Sequence, residues 1–555
     1  MLKILVFLII VCCSFVVEGK FLKKIERVEG SVNAYAYTEN DNDAILHSSI
    51  LCELYYNNTY SKLGWDVMQV QTNPTIQSDT DQARCAGELE GLVLYEAIYI
   101  HYYNNIKQWC KGRQQLCDKV YAFLDEHLAW VNQTIIDKDG WDPEWHHVNV
   151  FLNHMIGLQL GYMESQTDPK KALTLTDFIV MNLQVDLDDV AAALEGDISA
   201  KIRGDTRCSA IIKMLPNNED LLIGHNTWTS YNQMYRVLKW YDMPLHTSAR
   251  SKMLVPGKTI SFSGYPGVIT SMDDFYLVSS GLIAMETTIG NSNASLWQFV
   301  KPTGQIFESV RSLMALRLAN NGRSWCETFT GYNSGTYNNQ WMIIDLHKFT
   351  TGKPQEGLLW VLEQIPGYIR FQDQTALLLQ QTYWPSYNVA FYPDVFNMSG
   401  NQELVDQYGD WFSYNDTARA LIFRRDHSTV KDLDSLMKLL RSNDYKHDPY
   451  GQCNCTPPYS AENALAARSD LNPKNGKYPF PALGHRPHGA IDAKVVSPDL
   501  ARNMSFVAVC GPTTGTNLPP FKWSKSGFKH LPHKGQPNTF THFQPMLTPW
   551  IGPLF

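Results

Sequence analysis

Hydrophobic and polar positions change their period twice along this chain, and the changes divide it near residue 208. Residues 30 to 75 read as short strands with polar turns, among them Asp66 to Gln71. Apolar residues then recur at helical spacing over Glu88 to Gln108 and Asp118 to Trp130, and more loosely over Glu144 to Met163 and Leu175 to Leu194. The tyrosines inside these stretches, such as Tyr99, Tyr102 and Tyr103, read as core and groove packing. From Cys208 to Leu215 the chain is rich in apolar residues, Pro216-Asn217-Asn218-Glu219-Asp220 carries turn chemistry, and Leu221-Leu222-Ile223 is apolar again. That pattern predicts a β-hairpin. Short β-rich runs follow at Thr259 to Ser263, Gly267 to Ser271, Phe275 to Ser279 and Gly281 to Glu286. Helical stretches at Leu296 to Val300 and Gln305 to Asn320, a strand region at 333 to 346, strands near Thr375 to Thr382 and a charged helix from Thr429 to Arg441 complete the pass. The periods predict a chain of mixed α and β structure, class α+β.

The first residues carry a different signal. Met1-Leu2-Lys3 is a positive start, Ile4 to Val17 is an unbroken run of 14 apolar and small residues, and Val17-Glu18-Gly19 offers small residues where a signal peptidase reads. Residues 1 to 19 are therefore expected to be a secretory signal peptide, since a membrane span needs about 20 apolar residues. No later stretch reaches that length, so no stable membrane span is expected, and the mature chain is placed in a secreted or lysosomal space. Seven N-x-S/T sequons, at Asn57, Asn132, Asn293, Asn397, Asn415, Asn454 and Asn503, are the expected glycosylation positions. Asn454 stands between Cys453 and Cys455, where a disulfide would hinder the glycosyltransferase.

Removal of the leader takes Cys12 and Cys13 with it and leaves nine cysteines, an odd number that implies at least one free thiol or a partner on another chain. Cys110 and Cys117 flank a short polar loop that a bridge closes easily. Cys208 is the candidate for the free thiol.

Composition narrows the function classes. Apolar residues at 44% and charged residues at 18%, without a Gly/Ser linker or repeat, suit one large globular body made of residues 20 to 207 and 208 to 555. A net charge of -8 argues against nucleic-acid binding. The 16 histidines lack ligand spacing, the nearest approach being His146, His147 and His154, so neither a metal nor another cofactor is expected.

The chemistry centres on Cys208. The preceding segment, Ser199 to Arg207, is polar and suits proteolysis, and it runs directly into an apolar strand. If the Arg207-Cys208 bond is cut, the thiol gains its own α-amine as a neighbouring base. The hairpin returns to the same end at Gly224-His225-Asn226-Thr227-Trp228, which brings His225 and Trp228 near Cys208. The plainer alternatives are a buried core thiol, a hydrogen-bonded strand-end histidine and an ordinary surface loop.

Five blocks then resemble the phospholipase B-like family: CSAIIKMLPNNEDLLIGHNTW from Cys208, METTIGN at 285 to 291, YNSGTYNNQWMIIDL at 332 to 346, FRRD at 423 to 426 and ENALAARSDLNP at 462 to 473. The resemblance runs from about residue 30 to the C-terminus. It implies the N-terminal-nucleophile hydrolase fold, a four-layer αββα sandwich, here with an additional helical N-terminal portion. It implies Cys208 as nucleophile after self-cleavage between Arg207 and Cys208, Asn338 or Asn339 as oxyanion donor, and Thr288 bonding the substrate or the new amine. It also implies a disulfide near Cys453, although C-N-C departs from the wider spacing of relatives and leaves a Cys453 to Cys455 bridge open. The expected activity is deacylation of phospholipids, with a lipid or other acyl compound as partner. An N-acyl amidase of the same fold and a non-catalytic lipid-binding glycoprotein remain as alternatives. Arg424 and Arg425 are read as surface or ion-pair residues.

Overall fold

A computed structural model describes residues 22–28, 30–37, 50–73, 78–205, 208–515, 518–541, 543–552 and 554. The expected signal peptide, Thr206 and Arg207 lie outside the described residues.

The hairpin forms where the turn chemistry places it. Strand β5 (Ser209–Met214) pairs antiparallel with β6 (Leu221–Asn226), from Ser209 opposite Asn226 to Met214 opposite Leu221. Asn217 and Asn218 between them adopt φ of 57° and 55°, the left-handed region that asparagine tolerates better than most residues. This hairpin is the middle of a six-stranded sheet in which β15 (Tyr383–Ser386) flanks β5, while β17 (Asp492–Val496) and β18 (Val507–Cys510) extend from β6.

An eleven-stranded sheet lies against it. Its N-terminal part comprises β1 (Leu22–Val28), β2 (Ser31–Tyr37), β3 (Ile50–Asn57) and β4 (Asp66–Thr72). The rest comprises β8 (Val237–Asp242), β9 (Thr259–Gly264), β10 (Phe275–Val278), β11 (Leu282–Thr288), β12 (Asn339–Asp345), β13 (Leu359–Ile365) and β14 (Tyr368–Asp373). The parallel β4/β8 pair, with Asp66 opposite Val237, joins the parts on either side of Cys208 into one sheet. A two-stranded ladder joins β7 (Trp228–Ser230) to β16 (His488–Ala490).

Strand alternation assigns the faces. Ile283, Met285, Met342 and Ile344 of the large sheet share one buried cluster with Ala210, Ile212 and Ile223 of the smaller sheet. On the other face of the large sheet, Leu282, Ala284, Trp341 and Ile343 pack with residues of two long helices, α1 (Asp79–Asn105) and α3 (Pro143–Ser165). On the outer face of the smaller sheet, Ile211, Leu222, Val495 and Val509 meet Phe423, Leu436 and Leu440 of α12 (Ala418–Asp426) and α13 (Leu433–Leu440). The chain is α+β.

Helices α1 and α3 cross closely because glycines line the crossing: a methyl at Gly87 or Gly91 would overlap a main-chain carbonyl of α3, and one at Gly157 or Gly161 a carbonyl of α1. Helix α2 (Gln114–Lys138) extends the helical run expected from Asp118 to Trp130 by about a turn or two at each end. The run expected from Leu175 to Leu194 breaks at Leu183 into α4 (Leu175–Asn182) and α5 (Gln184–Glu195). A short α6 (Ala200–Arg203) then leads toward Cys208. Later helices are α7 (Glu308–Leu318), α8 (Gly322–Thr330), α9 (Thr375–Gln381), α10 (Pro393–Met398) and α11 (Asn401–Tyr408).

Two expected strands are corrected. Thr375 to Gln381 is helical: the Asp373 carboxylate accepts the Thr375 N–H at 2.8 Å, and Thr382 ends the helix at φ 62° before β15 begins. An apolar run this short does not distinguish helix from strand by period. Gly267 to Ser271 is a connection between β9 and β10. Its main-chain groups are taken by side chains, with Asn182 donating to Gly267 O and accepting from Ile269 N, and Lys239 donating to Val268 O.

Disulfides join Cys52 to Cys85, Cys110 to Cys117 and Cys453 to Cys455, while Cys208, Cys326 and Cys510 are free and buried. Among the described residues no helix is long and apolar enough to cross a membrane. All seven sequon asparagines reach solvent at least in part.

Candidate active site

Cys208 stands one residue before β5 with φ of 80°, a left-handed conformation that costs a non-glycine residue about 1 to 3 kcal/mol. Hydrogen bonds hold the neighbouring main chain. Ser209 N donates to Asn226 Oδ1 at 2.9 Å, and the Asn226 amide donates onward to Leu440 O and Leu465 O, which ties the hairpin end to the helical layer beneath it. Arg419 Nη1 donates to Cys208 O at 2.7 Å. Burial holds the Cys208 thiol well above its ordinary pKa, and the Glu286 carboxyl adds to this, while the Trp228 N–H and Lys494 oppose it. A neutral, enclosed thiol is a poor nucleophile. Cleavage before Cys208 would change both properties, by opening the chain and by placing an amine beside the sulfur.

His225 lies on β6 opposite Ala210, and its Nε2 meets Glu286 O of the large sheet at 3.0 Å. Because a carbonyl only accepts, Nε2 carries the proton and Nδ1 has the lone pair; no partner for Nδ1 is present among the described residues. Burial, reinforced by Lys494, pushes the ring well below its ordinary pKa, so His225 is uncharged. Trp228 donates Nε1 to Leu465 O at 3.2 Å, and the Arg419 guanidinium lies 4.3 Å from its ring centre. Thr288 ends β11 with its Oγ1 buried and unpartnered among the described residues, and its main-chain O accepts from Asn388 Nδ2 at 2.8 Å.

The two candidate oxyanion donors are engaged elsewhere in this state. Asn338 Nδ2 donates to Gly335 O at 2.9 Å and Asp189 Oδ2 at 3.2 Å. Asn339 shares a face of β12 with Trp341, toward α7, and its amide points to Glu308 Oε1 at 3.4 Å. Alternation along β12 thus sets Asn339 across the sheet from the layer that holds Ala210.

Comparison with known proteins bears on this geometry. Residues 52–548 match the family model described as Phospholipase B. The chain belongs to the phospholipase B family. It is 43% identical over 502 residues to a protein of Rattus norvegicus named, by likeness, phospholipase B-like 2, covering 89% of this chain and 85% of that one. The Homo sapiens protein of the same name gives the same identity and coverage. Phospholipase B-like 1 of Caenorhabditis elegans is 39% identical over 537 residues, covering 95% of this chain and 92% of its own length.

In this phospholipase B family member several residues around Cys208 escape a reading of sequence alone. Arg419 lies on the inward face of α12 and is buried, whereas Arg425 of the same helix pairs at the surface with Asp426 and Asp448. The FRRD block directs attention to the outer pair; the inward arginine precedes it by about a turn. Asn388 bridges Arg419 and Thr288, accepting from the former at 2.7 Å. Lys494 and Asp492 form a buried ion pair at 2.9 Å, with Arg236 Nη1 3.0 Å from Asp492. Burial alone would raise the Asp492 carboxyl, but Lys494 and Arg236 outweigh it and hold it below the ordinary range.

A small cavity adjoins this group, lined by Lys201, Tyr387, Asn388, Trp411, Phe412 and Arg419 among others. Another, between α3 and α7 with His147, His154 and Arg317 in its wall, shares no residue with the Cys208 neighbourhood.

Proposed function

We propose that this chain is an acyl hydrolase of the N-terminal-nucleophile type, acting on phospholipids in a secreted or lysosomal space after cleavage between Arg207 and Cys208. The observation that carries the reading is the placement of Cys208: a free thiol with left-handed backbone at the head of β5, against His225, Trp228 and Arg419, directly after a polar segment. The packing of helices outside both sheets supports a four-layer αββα arrangement.

In the maturation step the Cys208 sulfur attacks the Arg207 carbonyl carbon. The C–N bond breaks, the nitrogen takes the thiol proton to become the Cys208 amine, and water hydrolyses the thioester. In turnover the same amine takes the thiol proton, the thiolate attacks the acyl carbonyl, the alcohol leaves with a proton, and water releases the fatty acid. Asn338 serves as oxyanion donor once its present bond is exchanged for the substrate; Asn339, the other expected donor, faces α7 on the far side of the sheet and is set aside. Thr288, with its free hydroxyl, bonds the substrate or the amine.

The test is fragment sequencing followed by assay. Wild-type protein should yield a chain that begins at Cys208, Cys208→Ala should remain uncut, and processed Cys208→Ser should keep its fold while losing most turnover on phospholipids and N-acyl amides at acid pH. Normal cleavage in Cys208→Ala, or full activity in processed Cys208→Ser, would refute the reading. Loss of one oxyanion donor should cost about 10²-fold to 10³-fold in rate.

A further inference from the structure

The wall of the cavity beside Cys208 holds two buried basic side chains, Arg419 and Lys201, and among the described residues neither is within ion-pair distance of a carboxylate. Arg419 donates Nη1 to Cys208 O and to Ser209 Oγ at 3.1 Å, and Nη2 to Asn388 Oδ1, all neutral acceptors. Burial brings the guanidinium down to about 10, so it stays charged. Enclosing a cation without an anion is costly, and a guanidinium on a cavity wall suits a phosphate or carboxylate.

Lys201 lines the same cavity. It is the one buried residue of α6, whose remaining residues are at least partly exposed. Its ammonium donates to Asn401 Oδ1, and Asn401 Nδ2 is itself buried and unpartnered among the described residues. Burial lowers Lys201 to about 7 against the attraction of the buried Glu363. If water enters, the burial penalty falls while the Asn401 carbonyl remains and favours a cation. Tyr387, Trp411 and Phe412 supply aromatic walls that suit one as well.

The segment that carries Lys201 packs Ile202 against the cluster of Leu404, Phe412 and Phe480. Arg203 pairs with Asp197 and Asp205 inside the segment, while among the described residues its outward hydrogen bonds are those of Lys201 to Asn401, Arg486 to Gly204 O at 2.8 Å and Trp297 to Asp197 O at 3.0 Å. A cut before Cys208 frees its end.

We propose that this cavity is the head-group subsite, and that in the uncut chain Lys201 stands where the amine of an amine-bearing phospholipid binds, the phosphate going to Arg419. The proposal rests on Cys208 being the released nucleophile and deepens that reading by assigning the substrate class.

Processed protein is assayed on dihexanoyl phosphatidylethanolamine and dihexanoyl phosphatidylglycerol, and its binding of phosphoethanolamine and glycerol 3-phosphate is measured by calorimetry. The ethanolamine lipid should be favoured in kcat/KM by at least about tenfold, the scale of one hydrogen bond to a charged group. That preference should collapse in Asn401→Leu and persist or grow in Asn401→Asp, and phosphoethanolamine should bind more tightly than glycerol 3-phosphate. Equal kcat/KM for the two lipids, or a preference that neither substitution moves, overturns the head-group assignment while leaving the hydrolase intact. Preferential binding of phosphoethanolamine without cleavage of either lipid supports the subsite and refutes the hydrolase.

Discussion

A histidine far from Cys208 sets a specific pH dependence of stability. His146 at the start of α3 bonds Asp79 Oδ2 at 2.9 Å through Nε2 and Asp139 Oδ1 at 2.9 Å through Nδ1, so one imidazolium joins the beginnings of α1 and α3 to the end of α2. Asp79 also accepts the His246 N–H at 2.7 Å, which ties in the loop after β8. Burial opposes the charged ring, but the two aspartates outweigh it and raise its pKa from 6.5 to about 9. The adjacent His147 is pushed down to about 3, by burial first and by His146 second, and stays neutral in this range. A folded pKa above the unfolded one favours the folded state below the lower value, and that contribution is lost as pH rises through the higher one. At about 1.4 kcal/mol per unit, the clamp contributes about 3 kcal/mol at pH 6 and almost none above pH 9. Urea unfolding of wild type and His146→Gln at pH 6 and pH 9 measures it. Wild type should lose about 3 kcal/mol more than the variant between the two pH values. An equal loss in both proteins would refute the assignment of the charge to His146.

Gly161→Ala pushes a methyl into the Glu88 carbonyl and should lower stability by about 1 to 3 kcal/mol, read as a shift of the urea midpoint at constant slope. Lys494→Met leaves Asp492 short of a buried partner and should cost about 3 to 5 kcal/mol in the same assay, whereas an exposed pair such as Arg323 with Glu327 should cost less than about 1 kcal/mol when broken. Thiol labelling of the uncut chain should be slow at all three free cysteines until denaturant is added, and cleavage should make Cys208 alone fast; a fast Cys208 in the uncut chain would contradict its burial. Since His225 is uncharged, His225→Gln should leave the inflections of the pH–rate profile in place even where it lowers kcat.

Much of the neighbourhood of Cys208 was legible before the fold was known. The turn residues Pro216 to Asp220 fix a hairpin, and a hairpin returns its second strand to the end of its first, so His225 and Trp228 had to come near Cys208. The short Cys110 to Cys117 loop and the surface character of Arg425 could be read in the same local way. The Cys52 to Cys85 bridge could not, because its cysteines lie 33 residues apart and meet only where α1 crosses β3. Arg419 and Lys201 gave no signal either: an arginine in a charged helix and a lysine in a polar segment look like solvated residues until packing shows which way they face.

Periodicity, turn torsions and the thiol at the head of an apolar strand are properties of a few consecutive residues, and the sequence by itself determined them. The tertiary structure decided what depends on faces. Alternation along β12 sends Asn339 toward α7 while its neighbour Gln340 bonds Glu363, a difference that no composition of the strand reveals. Helix α12 turns Arg419 onto Cys208 from 211 positions away, and α6 carries Lys201 to Asn401 across 200. Such contacts exist because apolar faces of separate elements bury one another, and the few polar groups carried inside must then find partners there, wherever in the chain those partners lie.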